Sequence, residues 1–455
     1  MRNKRIAVLA VALSLVLVAA IVGIALSGKD KGLTIVDADG NTLAVLSELS
    51  AESAQVSDEA CRAYLDIVLS EAVQVIAETE NCSEAKAERR LMRNGYTLET
   101  AFEAAALQAC KSAYEAFNDS TTPFAAVVTA LDGRVLCVFS GSAGDVNYAV
   151  EKTKPYSAFK PISVYAPALE SGKASWSSVY MDAPVKQVED ENGELTDWPS
   201  NSDGQYSYEN VSVCEGIKVS LNTTAVRCLM DVGVMNSINF MQQHFDIDFS
   251  HEQRVVSTMG EEEVLANIGL GYLNAGVSPL DMAGFYQIFA TGGKYEEPYS
   301  ILRITKEDGA AYYTHSDAKK QVLTEETAYI MNRLLQNTLT SGGTAEKAQV
   351  DGLTIGGKTG TGSGHVGNWF VGFTPEYSCS IWHGKSNENR CAELFPALMA
   401  DLEHDESKTF PECTTVVRQP YCADSGKRLT MQCSRMEMGY YPASYSLEKC
   451  DMHFE

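Results

Sequence analysis

Positive charge is in short supply in this 455-residue chain: 36 Lys and Arg stand against 60 Asp and Glu, for a net charge of −24 at pH 7. Binding nucleic-acid phosphates needs a concentrated basic face, and no such stretch occurs, which argues against a nucleic-acid partner. The acidity itself reads as solubility. Histidine is also sparse, and the seven residues form no metal-ligating cluster among themselves. A Gly-x-Ser-x-Gly elbow is missing, which disfavours a Ser-His-Asp hydrolase. Internal repeats and low-complexity tracts are absent as well. The 45% hydrophobic content is enough for one large core or two modest ones.

Charge is lacking most conspicuously near the start, where the run from Ile6 to Gly28 carries none. At helical rise this run crosses a hydrocarbon layer of about 30 Å. Met1-Arg2-Asn3-Lys4-Arg5 precede it, which places the N-terminus in the cytoplasm and the remainder outside. A cleavable signal is the rival reading, with Ala25-Leu26-Ser27 as its small-residue site, but its apolar stretch would be about half as long.

Cysteine is not scarce. Six of the twelve lie from Cys379 onward. In an exported chain an even number permits full pairing, so a disulfide-stapled tail is expected. Reduced thiols are the alternative in a source living without oxygen. The ending Cys422-x10-Cys433-x16-Cys450-x2-His453 also reads as a zinc site, but it lacks paired Cys-x-x-Cys knuckles and ranks second. No metal or cofactor is expected in the chemistry.

Apolar spacing predicts helices over Asp58–Glu80, Ala101–Phe117, Ile162–Glu170, Cys214–Val232, Pro279–Ala290 and Glu325–Leu339. Asn94 to Thr100 reads as a turn into a short strand. Ala125–Leu131 and Arg134–Phe139 flank Asp132-Gly133, a two-residue hairpin signal, and both are apolar enough to be central strands. Further strands are expected at Leu353–Gly356, Trp369–Phe373 and Tyr377–His383. Strands first, helices in the middle and strands last imply an α+β (mixed α/β) fold, one sheet assembled from distant segments with helices against it.

The Ser-x-x-Lys pattern occurs at Ser83/Lys86, Ser157/Lys160, Ser316/Lys319 and Ser446/Lys449. Taken alone, Ser157 reads as an ordinary helix N-cap. A serine hydroxyl becomes nucleophilic only beside a base, and a desolvated lysine can be that base. Positions i and i+3 share a helix face, and only Ser157/Lys160 is backed by an apolar run that would bury such a pair. Ser220-Leu221-Asn222 lies at a predicted helix edge. Lys358-Thr359-Gly360-Thr361-Gly362 opens a strand pair. Ser-x-Asn alone is weak, since Ser237-Ile238-Asn239 also fits, whereas Lys-Thr-Gly occurs once. The three in this order select Ser157.

On these motifs the chain resembles the penicillin-binding transpeptidases, which share them with the serine β-lactamases. Ser157-Ala158-Phe159-Lys160-Pro161, Gly276-Val277-Ser278-Pro279-Leu280-Asp281 and Asn368-Trp369-Phe370-Val371-Gly372-Phe373 are similar to segments of the bifunctional, class A type. The resemblance implies a β-lactamase/transpeptidase-like fold: a mainly antiparallel central sheet, helices on both faces and an all-helical subdomain, preceded by one transmembrane helix. It divides the chain into a cytoplasmic tail (1–5), a signal anchor (6–28), a linker or pedestal (29–100), a transpeptidase domain (101–404) and a cysteine-rich tail (405–455). The Glu-Asp-x-x-Phe box of the class A glycosyltransferase is missing, so a monofunctional transpeptidase is expected, with a separate glycosyltransferase as a candidate partner.

The resemblance also implies roles. Ser157 attacks the penultimate D-Ala carbonyl of a peptidoglycan stem peptide ending in D-Ala-D-Ala, or a β-lactam, and Lys160 takes its proton. Backbone N–H groups of Ser157 and Thr361 form the oxyanion hole. Ser220, bridging Lys160 and Lys358, relays a proton to the leaving group, and Asn222 binds the substrate amide and Lys160. Lys358, Thr359, Gly360 and Thr361 line the site of the terminal carboxylate. Tyr156 stands where a small residue is common, Gly362 where a second Thr is common, and His365 and Gly367 lie in a loop that often bears Asp. A D,D-carboxypeptidase or endopeptidase, a β-lactam sensor and a non-catalytic wall scaffold are the rival readings.

Overall fold

The computed structural model describes residues 31–141, 146–189 and 192–453. The run Ile6–Gly28, read above as an anchor, lies outside them. Among the described residues no helix is long and apolar enough to cross a membrane.

The centre of the molecule is a five-stranded antiparallel sheet in the order Gly356–Thr361, Asn368–Phe373, Tyr377–His383, Phe124–Ala130, Val135–Gly141. Every residue of Asn368–Phe373 and Phe124–Ala130 is buried, because helices cover both faces. Two serines in Tyr377–His383 are satisfied on one face by a helix. Ser378 Oγ donates to Ala283 O (2.6 Å) and Ser380 Oγ to Pro279 O (2.7 Å). That helix, Pro279–Ala290, has the bounds its apolar spacing predicts. Its start is fixed by a capping box in which Ser278 and Asp281 exchange hydrogen bonds, with Pro279 as the first helical residue.

The expected two-residue hairpin opens wider. Ala130 N–H donates to Arg134 O (2.9 Å), so Leu131 to Gly133 all lie in the loop. Gly133 has φ of +92°, and a Cβ there would lie 2.7 Å from Glu296, which reserves the position for glycine.

Residues before 101 do not close on themselves. Leu33–Val36 pairs parallel with Thr97–Thr100, which pairs in turn with Ile301–Thr305 from the middle of the chain, in a six-stranded sheet. The predicted helices Asp58–Glu80 and Ala101–Phe117 form as Arg62–Thr79 and Ala104–Phe117. Cys214–Val232 is two helices, Val213–Lys218 and Asn222–Val232, broken at Ser220, whose φ is +64°. A second helix, Glu84–Arg93, lies where no helix was predicted, its narrow apolar side limited to Ala87, Leu91 and Met92.

The tail after residue 405 carries an antiparallel hairpin, Val416–Cys422 with Met436–Pro442. The expected disulfide staple is not formed: all twelve cysteines are free. Cys422, Cys433 and Cys450 instead converge with His453, so the ranking of disulfides over a thiol–imidazole cluster is corrected here.

Candidate active site

Ser157 sits in a 3-10 turn, Tyr156–Phe159, that runs directly into a π-helical turn, Pro161–Tyr165. Three residues per turn stack Ser157 and Lys160 on one side. Lys160 is fully buried. Its Nζ donates to Ser220 O (3.0 Å), Leu221 O (3.2 Å) and Asn222 Oδ1 (2.7 Å). Ser157 is half-buried, and among the described residues its hydroxyl holds no hydrogen bond. Lysine and serine therefore share a face with no hydrogen bond between them among the described residues.

The left-handed backbone of Ser220 turns two of its atoms toward two different lysines. Its carbonyl accepts from Lys160, and its hydroxyl accepts from Lys358 Nζ (2.8 Å), which also donates to Thr359 O (3.1 Å). Lys358 is fully buried too. Neither lysine has a carboxylate partner among the described residues. Burial therefore acts on both without relief. It holds Lys160 well below the ordinary lysine value, helped by the neighbouring Lys358 charge, and brings Lys358 down to about 7.

The Lys-Thr-Gly strand, Gly356–Thr361, is an edge of the sheet, with its free side against the Ser157 turn. A Cβ on Gly360 would lie 2.5 Å from Pro155 O and 2.9 Å from Ala158 N, so only glycine lets strand and turn approach this closely. Thr359 is half-buried and Thr361 exposed on the same strand. Sequence reasoning thus named a set that the fold brings together: Ser157, Lys160, Ser220, Asn222 and Lys358 to Thr361.

The penicillin binding protein transpeptidase domain is the family whose model matches residues 124–381, more than half of the chain. The chain belongs to that family. Penicillin-binding protein 1F of Bacillus subtilis is 30% identical over 344 residues, covering 72% of this chain and 44% of that protein. Penicillin-binding protein 1A of Clostridium botulinum is 29% identical over 257 residues, covering 56% of this chain and 30% of that protein. The chain thus spans less than half the length of these curated relatives. Among solved structures, penicillin-binding protein 1A of Haemophilus influenzae superposes with a TM-score of 0.67 at 15% identity, covering 94% of this chain and all of that one. The D,D-transpeptidase domain from Eggerthella lenta gives 0.61 at 17% identity, covering 82% and 98%. At these identities the structural likeness is one of fold.

Several supports of this candidate site carried no sequence signal. Asn389 Nδ2 donates to Gly360 O and Thr361 Oγ1, both at 2.9 Å, and so aims the strand end. Asn222 Nδ2 is held by Ser200 O (2.7 Å), and its backbone N–H by Asn201 Oδ1 (2.9 Å). Asn201 and Thr223 both donate to Asp182 Oδ1, at 2.8 and 2.6 Å. These partners lie tens of residues apart, and no spacing rule connects them.

The two departures at Tyr156 and Gly362 explain each other. Tyr156 has φ of +49° and leans on Gly271, where a Cβ would lie 2.1 Å from its carbonyl oxygen. Its ring fills the space a side chain at 362 would need, with ring atoms 2.5 Å from that missing Cβ. The ring also meets Tyr272 edge-on at 5.2 Å, and Tyr272 reaches Ser363 at 3.0 Å. Gly362→Thr alone should destabilise by about 1–3 kcal/mol through overpacking. Combined with Tyr156→Ala it should recover at least about 0.5 kcal/mol relative to the sum of the single changes. Strict additivity in a denaturant-unfolding cycle would refute the coupling.

Proposed function

We propose that the protein is a membrane-anchored serine D,D-transpeptidase that cross-links peptidoglycan stem peptides ending in D-Ala-D-Ala and is acylated by β-lactams. The observation that carries the reading is the pair of buried lysines without carboxylate partners among the described residues, one a turn from Ser157 and both joined to Ser220. A neutral Lys160 takes the Ser157 proton as Oγ attacks the penultimate D-Ala carbonyl. Backbone N–H groups of Ser157 and Thr361 receive the developing oxyanion. The C–N bond then breaks, and the departing D-Ala amine takes a proton relayed through Ser220. An amine of a second stem peptide attacks the ester, forms the new amide and returns the proton to Ser157.

Lys358, Thr359 and Thr361 hold the donor's terminal carboxylate, with Gly360 allowing the strand to lie close. The apolar run Ile6–Gly28 anchors the chain with its catalytic domain outside the cytoplasm, consistent with a membrane-bound substrate and with a separate glycosyltransferase as partner. Intact mass after incubation with a penicillin should rise by one whole drug molecule, and peptide mapping should place it on Ser157. A donor stem peptide offered with an amine acceptor should then release D-Ala and yield the amide. D-Ala release with only the hydrolysed donor would favour a carboxypeptidase, and an adduct absent or mapped elsewhere would overturn both.

A further inference from the structure

The ligand atoms of Cys422, Cys433, Cys450 and His453 all lie within 4.8 Å of one another. Three separate stretches of tail deliver them. Cys422 ends the first hairpin strand, and the turn behind it closes through Gly426 N–H to Cys422 O and Cys422 N–H to Lys427 O, both 2.8 Å. Cys433 lies in the loop before the second strand, its Sγ accepting from Thr430 N–H (3.3 Å). Cys450 is brought in by its N–H donating to Arg428 O (3.0 Å), and its Sγ accepts from Ser425 Oγ (3.2 Å). Sulfurs that accept hydrogen bonds from the protein are placed as thiolates require.

The two distances from the imidazole fit a tetrahedral ion. With metal–sulfur bonds of about 2.3 Å and a metal–nitrogen bond of about 2.0 Å, sulfur and nitrogen should stand roughly 3.5 Å apart. His453 Nδ1 lies 3.6 Å from Cys422 Sγ and 3.3 Å from Cys450 Sγ. The other ring nitrogen, Nε2, lies 3.3 Å from Asp424 Oδ2, and Arg435 holds that carboxylate at 2.9 Å. A carboxylate on the far nitrogen fixes the tautomer that leaves Nδ1 free to ligate.

We propose that Cys422, Cys433, Cys450 and His453 form a closed structural zinc site in the C-terminal tail. Three thiolates and an imidazole in tetrahedral array suit zinc, and four protein ligands leave no open position for chemistry. The physical need is evident. A two-stranded hairpin is marginal by itself. This one leans on the domain through Tyr440 against Trp176 (ring centroids 5.1 Å) and through Ser177 Oγ, which donates to Gly426 O (2.5 Å). Gly426 has φ of +70° and belongs to the same turn that wraps Cys422, so the ion would stiffen the contact by which the tail docks.

The full-length chain, purified with reductant and dialysed, should carry about one zinc per chain by elemental analysis. Cobalt exchange should give the thiolate charge-transfer band of a tetrahedral site, and chelation should lower the melting temperature. His453→Gln keeps the thiols and guards against a misfolded Cys433→Ser. It should lose most of the zinc and shift the cobalt spectrum. Less than about a tenth of an equivalent in the reduced protein, zinc retained equally by both variants, or a disulfide-linked tail peptide after alkylation would each overturn the site.

Discussion

Lys160→Met should slow penicillin acylation by roughly 10²–10⁴-fold, the range for a lost general base, while leaving a folded protein. Ser157→Ala, removing the nucleophile, should abolish the adduct altogether. The lysine is fully buried against two carbonyls and an amide oxygen, so the side chain of Met fills much of the same volume. Stability should move differently from activity. Burial and the Lys358 charge hold Lys160 well below the unfolded lysine value, so the unfolded chain binds more protons wherever the pH lies between the two. Wild-type stability therefore rises with pH up to about 10.4, the unfolded value. Removing the lysine removes that slope.

The variant should accordingly be favoured relative to wild type at pH 6 and lose that advantage toward pH 10. Losing three hydrogen bonds costs about 1–3 kcal/mol per stranded acceptor, which decides where the two curves cross. The remaining lysine, Lys358, contributes its own rise from about pH 7 upward in both proteins. Acylation within tenfold of wild type would sink Lys160 as the base. A stability difference flat from pH 6 to 10 would sink the depressed titration.

What the sequence disclosed follows from which interactions are local. The helix Pro279–Ala290 and the strand Tyr377–His383 were legible to the residue, because apolar spacing and a Ser-Pro-x-Asp start are written within a dozen positions. Glu84–Arg93 was not, since its charged face hides a narrow apolar side. The motif residues were legible because Ser-x-x-Lys, Ser-x-Asn and Lys-Thr-Gly each name particular side chains at fixed short spacings. Asn389, Asn201 and Asp182 were not, since each acts on groups that only the fold brings near. Tyr156 and Gly362 were visible as two oddities, and only the packing of one ring against one missing Cβ made them a single feature. The tail shows the same limit. Its cysteines and histidine are spread along the tail without a Cys-x-x-Cys pair, and only the fold brings them together.

Gly360→Ala should cut acylation by about 10²-fold although it adds one methyl group to no chemical role. The added Cβ would meet Pro155 O at 2.5 Å, Ala158 N at 2.9 Å and Ala158 Cβ at 3.0 Å. Two of these are backbone atoms of the turn that carries Ser157, so no flexible side chain can yield. Either the strand or the turn must move. The strand is tethered along its other edge to Asn368–Phe373 and at its end by Asn389, and the turn by Tyr286, whose hydroxyl donates to Ala158 O (2.5 Å). Relief by a shift of several tenths of an ångström therefore changes the distance between Ser157 and the Lys358–Thr361 strand, and with it the pose of any bound carboxylate. The overpacking should lower stability by about 1–3 kcal/mol as well. Because the turn and Lys160 stay in place relative to each other, the loss should appear in drug binding more than in the proton transfer step. Stopped-flow acylation across drug concentrations separates the two, and a variant with wild-type binding and a slowed chemical step would refute this account of the glycine.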